Sequence, residues 1–322
     1  DIRIYHFDNH TPRDRPEKKQ KYEVPPLMSD YKIAVISDIH SNCVALAATV
    51  RDVLKEGADK IVVAGDIIGG FTQPNEAVEL LREIGADVIY GNREDYLRDY
   101  IAGEHPLWDK FDQMLPITWT NKILTDENKS YLLNLPANLV FDVADTKIRV
   151  VHGTPRRTNE LIYKYEHEKI KKIMAVVPED VLICGHSHQQ WNRLVNGTLI
   201  VNPGSSGLSF RKGGMAPYTM LCFEAGKWRA DERQVHYDTA DNKAAFASSG
   251  IAHYEPWANM LMHSIADGKV ATLAFLTYAK EYAISKGWDG DDGLMPNDFW
   301  RAANEKFDWD NINFISRAKG PN

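Results

Sequence analysis

Five short apolar runs, rich in β-branched residues, each give way within a few positions to a side chain able to bind a metal ion. No other feature of this chain limits its fold so strongly. KIAVIS (32–37) precedes Asp38-Ile39-His40, KIVVAG (60–65) precedes Asp66, and DVIY (87–90) precedes Gly91-Asn92. KIRVV (147–151) precedes His152-Gly153, and DVLIC (180–184) precedes Gly185-His186-Ser187-His188. Apolar runs of this length bounded by turn residues fit buried strands. Strands that all release such residues at their carboxyl ends would gather them along one edge of a sheet.

The segments between these strands are helical in pattern. Asn42–Glu56 carries apolar residues at 46, 50, 53 and 54 and is followed by Gly57. Pro74 opens and Gly85 closes a second helix, and a third is predicted from about Arg93. This βαβαβ rhythm predicts parallel strands covered by helices. Residues 103–135 interrupt it with a helical insert. Later strands come in pairs, 138–144 with 147–151 and 190–195 with 198–201, the second pair joined by Asn196-Gly197, a hairpin signal. A helix is predicted near 164–176 and strands near 218–223 and 232–237. The expected fold is α/β, an α+β sandwich of two packed mixed β-sheets flanked by helices. Residues 1–27 differ in texture from the rest of the chain and are read as an extension outside the core. Residues 28–238 form the main domain, and 239–322 a helical C-terminal extension.

Composition narrows the function classes. A net charge of −7 argues against coating nucleic acid or an anionic membrane through bulk charge. No apolar run approaches the roughly 18 residues of a membrane span. Cys43, Cys184 and Cys222 are odd in number and lack CxxC spacing, so free thiols and a reducing, cytoplasmic setting are expected.

The ligand types point to a two-ion centre. Two metals roughly 3.5–4 Å apart need a bridging ligand, and a carboxylate such as Asp66 suits that role. Asp38 and His40, two residues apart, would share one side of an extended chain. His186 and His188 repeat that spacing, although in a tight turn they could diverge towards neighbouring metals. Asn92 offers a neutral oxygen and His152 a nitrogen. This mixture suits manganese, iron or zinc better than magnesium. The glycines before Asp66, Asn92 and His186 would let the backbone turn sharply off each strand.

In order and spacing, these motifs resemble the calcineurin-like metallophosphoesterases from about Tyr31 to Asp238. The form SDIHSN…GDIIGG…GNRE…HGTP…CGHSHQQ…VNPGSSG is similar to a bacterial branch of small phosphoesterases, some of which hydrolyse phosphodiesters or diadenosine tetraphosphate. The resemblance implies Asp38, His40, Asp66 and His188 on one metal, and Asp66, Asn92, His152 and His186 on the other. It implies two divalent ions, manganese foremost with iron, zinc or nickel as alternatives, and a small phosphorylated substrate, a nucleotide. The implied reaction is in-line attack on phosphorus by a hydroxide held between the ions. Membrane and nucleic-acid partners are not expected, and homo-oligomerisation is left open.

The chain departs from the family at position 93. Many members carry a histidine after the Gly-Asn pair, and here Arg93 follows. Arginine is a poor general acid but can hold a phosphoryl oxygen through its guanidinium fork. The expected catalytic residues are therefore His40, Asp66, Asn92 and Arg93, with Arg93, Arg156 and Asn42 touching substrate. The plainer alternative pairs Arg93 with Glu94 or Asp95. Asn42 would also cap the first helix. Asn202-Pro203-Gly204-Ser205 is a candidate pocket floor, and Trp108, Trp119, Tyr163 and Phe210 are candidates to stack on a base. Rival readings are a phosphomonoesterase or cyclic-nucleotide phosphodiesterase, a non-catalytic metal-binding scaffold, and a nuclease. The last is disfavoured by the acidic charge.

Overall fold

A computed structural model describes residues 18–19, 30–210, 213–251, 254–290 and 294–312. Most of the 1–27 extension, and the C-terminal end from 313, lie outside the described residues. The strands are β1 (Lys18–Lys19), β2 (Asp30–Ile36), β3 (Lys60–Val63), β4 (Asp87–Val88), β5 (Leu139–Val143) and β6 (Thr146–Val150). They continue with β7 (Val181–Ile183), β8 (Gln190–Val195), β9 (Thr198–Pro203), β10 (Met215–Glu224) and β11 (Lys227–His236).

One sheet has the order β11-β10-β2-β3-β4 and the other β1-β5-β6-β7-β9-β8. Within the first, β2, β3 and β4 are parallel, while β10 runs antiparallel to β2 and β11. In the second, β6, β7 and β9 are parallel, and β5 and β8 pair antiparallel at either side. Both sheets are therefore mixed. The β8–β9 turn places Asn196 and Gly197 at φ 52° and 94°, the left-handed pair that a two-residue hairpin requires.

Strict alternation builds the core in layers. Ile33 and Val35 of β2, with Val62 and Ala64, meet Phe141, Ile148, Val150, Val181 and Ile183 between the sheets. Their neighbours Ala34, Ile36, Ile61 and Val63 face outward and pack under helices. Burying each such Val or Ile contributes about 1.5–3 kcal/mol. The covering helices on that side are α1 (Cys43–Lys55), α2 (Pro74–Glu83), α3 (Asn92–Ile101), α4 (Leu115–Ile123) and α5 (Asp126–Leu133). On the far sheet, α6 (His167–Met174) sets Ile170 and Ile173 against Leu182 and Trp191.

Beyond β11 come α7 (Thr239–Ser248), α8 (Glu255–Asp267), α9 (Ala271–Ser285) and α10 (Asn297–Lys306). Phe275 and Trp300 centre a small aromatic core of their own, with Phe307 and Trp309 against it. A separate cluster joins these helices to the sandwich: Phe246, Leu261 and Ile265 pack on Phe71 and Leu208. Among the described residues no helix is long and apolar enough to cross a membrane.

Candidate metal centre

The parallel strands deliver the ligand-type residues to one edge. Asp38 follows β2, Asp66 follows β3 and Asn92 follows β4; His152 follows β6 and His186 follows β7. The backbones then interlock across the strand ends. Asp38 N–H donates to Gly65 O (3.1 Å), His40 N–H to Asp66 O (2.9 Å) and Gly185 N–H to His152 O (2.6 Å).

The residues meet in two groups. Donor atoms of Asp38, His40 and His188 lie within 4.8 Å of one another, as do those of Asp66, His152 and His186. Asp66 spans both groups: its Oδ2 lies 3.8 Å from His40 Nε2 and its Oδ1 3.4 Å from His152 Nε2. Asn92 Oδ1 lies 3.1 Å from His152 Nε2.

The donor set fits a cation pair. His152 Nδ1–H donates to Ala64 O (2.7 Å) and His188 Nδ1–H to Leu208 O (3.1 Å). Each imidazole therefore turns an Nε2 lone pair inward, the arrangement typical of metal-bound histidine. There the lone pairs face acceptors, with His188 Nε2 3.4 Å from Asp38 Oδ1 and 3.0 Å from His40 Nε2. Asp38 Oδ2 is held by Ser37 Oγ (2.7 Å) and His186 N–H (3.0 Å), whereas its buried Oδ1 has no hydrogen-bond partner. Acceptors crowded against acceptors need positive charge between them. Burial opposes charging of His152, yet the Asp66 and Asp38 carboxylates outweigh it and push that imidazole up to about 10, so its Nε2 takes up either a proton or an ion. Burial holds His40 down to about 3 and His186 to about 4, so both stay neutral and able to ligate. Asp66 lies well below the usual carboxylate range, since His152 and His40 overcome the cost of its burial.

Two local expectations are corrected. Asp38 and His40 do not share a side of an extended chain: their φ values are 53° and 52°, and Asp66, His186 and His188 are left-handed too (54°, 63° and 55°). Such residues cost about 1–3 kcal/mol each and persist where surrounding contacts over-determine them. Gly91 and Gly185 are likewise required for close approach rather than for a sharp turn. A Cβ at Gly91 would strike Asp66, and one at Gly185 would strike Ser37 and Asp38.

The substrate candidates divide. Arg93 stands at the centre: its N–H donates to Asp66 Oδ1 (2.8 Å), its guanidinium lies 5.9 Å from the Tyr96 ring centroid, and its buried Nε has no hydrogen-bond partner. The residues offered as its plain partners are engaged elsewhere. Asp95 pairs with Arg98 at 2.6 Å, and Glu94 turns inward. Arg156, expected to reach substrate, is instead an exposed side chain paired with Glu160 at 2.6 Å. Asn42 caps α1 as expected, accepting from Ala45 N–H at 3.0 Å. It is fully buried, however, and its Nδ2 donates to Gly207 O (2.7 Å), so it has no free face for substrate.

Asn202 and Ser205 brace the turns: Asn202 donates to Gly185 O (2.7 Å) and Ser205 Oγ to Asp38 O (2.7 Å). Of the candidate stacking rings, Trp108 is core and Tyr163 stacks on Tyr165, while Phe210 stacks on the His188 ring at 5.0 Å. Sequence reasoning missed Glu94. Its buried carboxylate accepts from the N–H groups of Asp66, Ile67, Ile68 and Gly91 at 2.7–3.0 Å. Its place three residues after Gly91 is the capping-box signal that could have found it.

The chain is similar to several known proteins. Residues 31–227 match the calcineurin-like phosphoesterase superfamily domain. An uncharacterized protein of Methanocaldococcus jannaschii (MJ0912) is 30% identical over 224 residues, 64% of this chain and 88% of that protein. Among solved structures, a metallophosphoesterase from Sphaerobacter thermophilus has a TM-score of 0.53 at 26% identity, covering 69% of this chain and 94% of that one. The hypothetical protein PH1004 from Pyrococcus horikoshii OT3 has a TM-score of 0.64 at 21% identity, covering 74% and 98%. This chain belongs to the calcineurin-like phosphoesterase superfamily. It is a metal-dependent phosphoesterase, a hydrolase whose family uses divalent metals.

Proposed function

We propose that this phosphoesterase cleaves phosphoanhydride or activated phosphoester bonds in a nucleotide, with diadenosine tetraphosphate as a fitting substrate and manganese as the preferred ion. The observation that carries this reading is Arg93, whose backbone N–H donates to Asp66 Oδ1 and whose buried Nε has no hydrogen-bond partner, at the position where many relatives have a histidine.

Asp38, His40, His188 and Asp66 would hold one ion, and Asp66, Asn92, His152 and His186 the other. When bound, such an ion pair lowers the pKa of water and neutralises phosphoryl oxygens. The chain's own residues do the rest. Asp66, shared between the groups, sets their spacing. Arg93 holds a phosphoryl oxygen and stabilises charge as it develops, without a proton to give. A phosphate leaving an anhydride, or an aryloxide, departs as the anion, whereas an alkoxide wants a proton. Phe210, stacked beside His188, offers an apolar ring next to this centre for a nucleotide base. A soluble, cytoplasmic setting fits the reading.

The test is a manganese-supplemented hydrolysis screen covering diadenosine tetraphosphate, ATP, cyclic nucleotides, nitrophenyl esters and glycerol phosphate, run beside Asp66→Ala. Turnover of the anhydrides and aryl esters, lost in the variant, is expected. A preference for glycerol phosphate over all of them would overturn the reading. Preference for a cyclic nucleotide would favour the phosphodiesterase alternative, and metal binding without any turnover would favour a scaffold.

A further inference from the structure

The turn that carries Asp38 and His40 is braced by the loop at Gly207, and that brace is tied to a helix beyond the family-matched region. Gly207 N–H donates to Asp38 O (3.1 Å), and Asn42 N–H closes the same turn on Ile39 O (3.0 Å). Gly207 packs so tightly there that a Cβ would collide with the Ile39 carbonyl oxygen. Leu208, the next residue, accepts from His188 Nδ1. Beside the Ser205 Oγ bond to Asp38 O, the Asn42 side chain ties this loop to the turn, its Nδ2 donating to Gly207 O at 2.7 Å.

Asn42 is itself oriented from α7. Asn242 Nδ2 donates to Asn42 Oδ1 at 2.8 Å across 200 residues of sequence. Both side chains are buried, at 0% and 1% exposure, so the bond is shielded from water. The amide orientations are fixed by their neighbours: Ala45 N–H needs Asn42 Oδ1 as acceptor, which leaves Asn42 Nδ2 for Gly207 and requires a donor from Asn242. The neighbouring α8 supports the same loops. Gly214 N–H donates to Ile265 O (2.8 Å), and Phe246 of α7 meets Phe71 edge-on, where Phe71 N–H donates to His40 O (2.7 Å). In the Asp66–His152–His186 group, Ala64 O orients His152 and the Glu94 carboxylate holds the Asp66 turn, while Asp66 O and His186 N–H also bond the Asp38–His40 turn.

We propose that Asn242 is a positioning residue for the metal position formed by Asp38, His40 and His188, acting through Asn42 and Gly207. The C-terminal helices thereby set the affinity of that ion more strongly than that of the other. The inference rests on the proposed two-ion centre.

The test is stepwise Mn²⁺ binding to the metal-free full chain, followed by electron paramagnetic resonance of free Mn²⁺. His188→Ala and His186→Ala identify which step belongs to which position. In Asn242→Leu, which keeps the branched heavy-atom shape and removes the donor, the step absent from His188→Ala should weaken about three- to tenfold. That is at or below the low end of the ~10–100-fold seen when a ligand's direct hydrogen-bond partner is lost. The other step should weaken less. Asn259→Ala, which removes a bond to Asn304 within the C-terminal helices, should leave both steps alone. Should Asn242→Leu fail to fold, Asn242→Ser is measured in its place with the same expectation. Wild-type binding at both steps in Asn242→Leu, or equal weakening of both, would overturn the inference while leaving the two-ion centre intact. A wild-type chain that takes up no Mn²⁺ would overturn both.

Discussion

The carboxylate of Glu94 accepts the backbone N–H of Asp66 at 3.0 Å, although the two residues are 28 positions apart. The same carboxylate holds Ile67, Ile68 and Gly91, so one buried side chain clamps the turn of the shared aspartate to the turn of Asn92. Each oxygen serves two donors. An amide in its place would turn NH₂ against two N–H groups whichever way it flipped. Glu94→Gln should therefore lower stability by about 3–6 kcal/mol, since two of the four bonds are lost at roughly 1.5–3 kcal/mol for each hydrogen bond to a charged group. Urea unfolding at fixed metal concentration measures this, and an unchanged midpoint would show that the clamp contributes nothing net.

Asp66 faces His40 with one oxygen and His152 with the other. Asp66→Asn should weaken both ions together, read as bound metal per chain by elemental analysis after dialysis. In the wild type, chelation should lower the melting temperature, because each ion present at 100 times its Kd contributes about 2.7 kcal/mol. Loss of only one ion from Asp66→Asn would contradict the shared-ligand assignment.

Arg93 cannot donate a proton, and this limits the leaving group. Arg93→Ala should cut kcat/KM on nitrophenyl or anhydride substrates by about 10²–10³-fold, the range for losing one preorganised charge-stabilising donor. Arg93→Lys should restore little of it, since the fork is lost. Arg93→His should raise the ratio of glycerol phosphate to nitrophenyl phosphate turnover. A ratio that stays put in a folded Arg93→His enzyme would disprove the leaving-group argument.

Gly207 lies against the Ile39 carbonyl with no room for a methyl group. Gly207→Ala forces backbone movement in the turn between Asp38 and His40, at a cost of at least about 1–3 kcal/mol. Thermal melting with and without Mn²⁺ checks this, and the loss should be accompanied by weaker metal binding.

Burial, reinforced by Glu76 and Glu79, pushes the Cys43 thiol up to about 11, and burial pushes Cys184 up to about 12. The reactive thiolate is then scarce at neutral pH, and its fraction rises about tenfold per pH unit below the pKa. Iodoacetamide labelling of the native protein should be slow at pH 7.5 and accelerate steadily to pH 10, with Cys43 modified before Cys184. Rapid labelling at neutral pH would show that the Cys43 environment is read wrongly.

Much of this protein is written locally. The continuous apolar runs KIAVI and KIVV marked buried strands, Pro74 and Gly85 bounded a helix, and Asn196-Gly197 marked a hairpin, because each depends on backbone preferences within a few residues. The ligand types after the strands were legible for the same reason, since parallel strands bring their carboxyl ends together whatever the loops do. Tertiary structure alone decided how those side chains are aimed. Left-handed φ values at Asp38, His40 and Asp66 defeat reasoning from an extended chain. Arg156 was drawn away by Glu160, and Asn42 was buried by Gly207 and Asn242. The bracing by Glu94 and Asn242 joins residues far apart in sequence, and no local pattern encodes which distant N–H or carbonyl a buried polar group will meet.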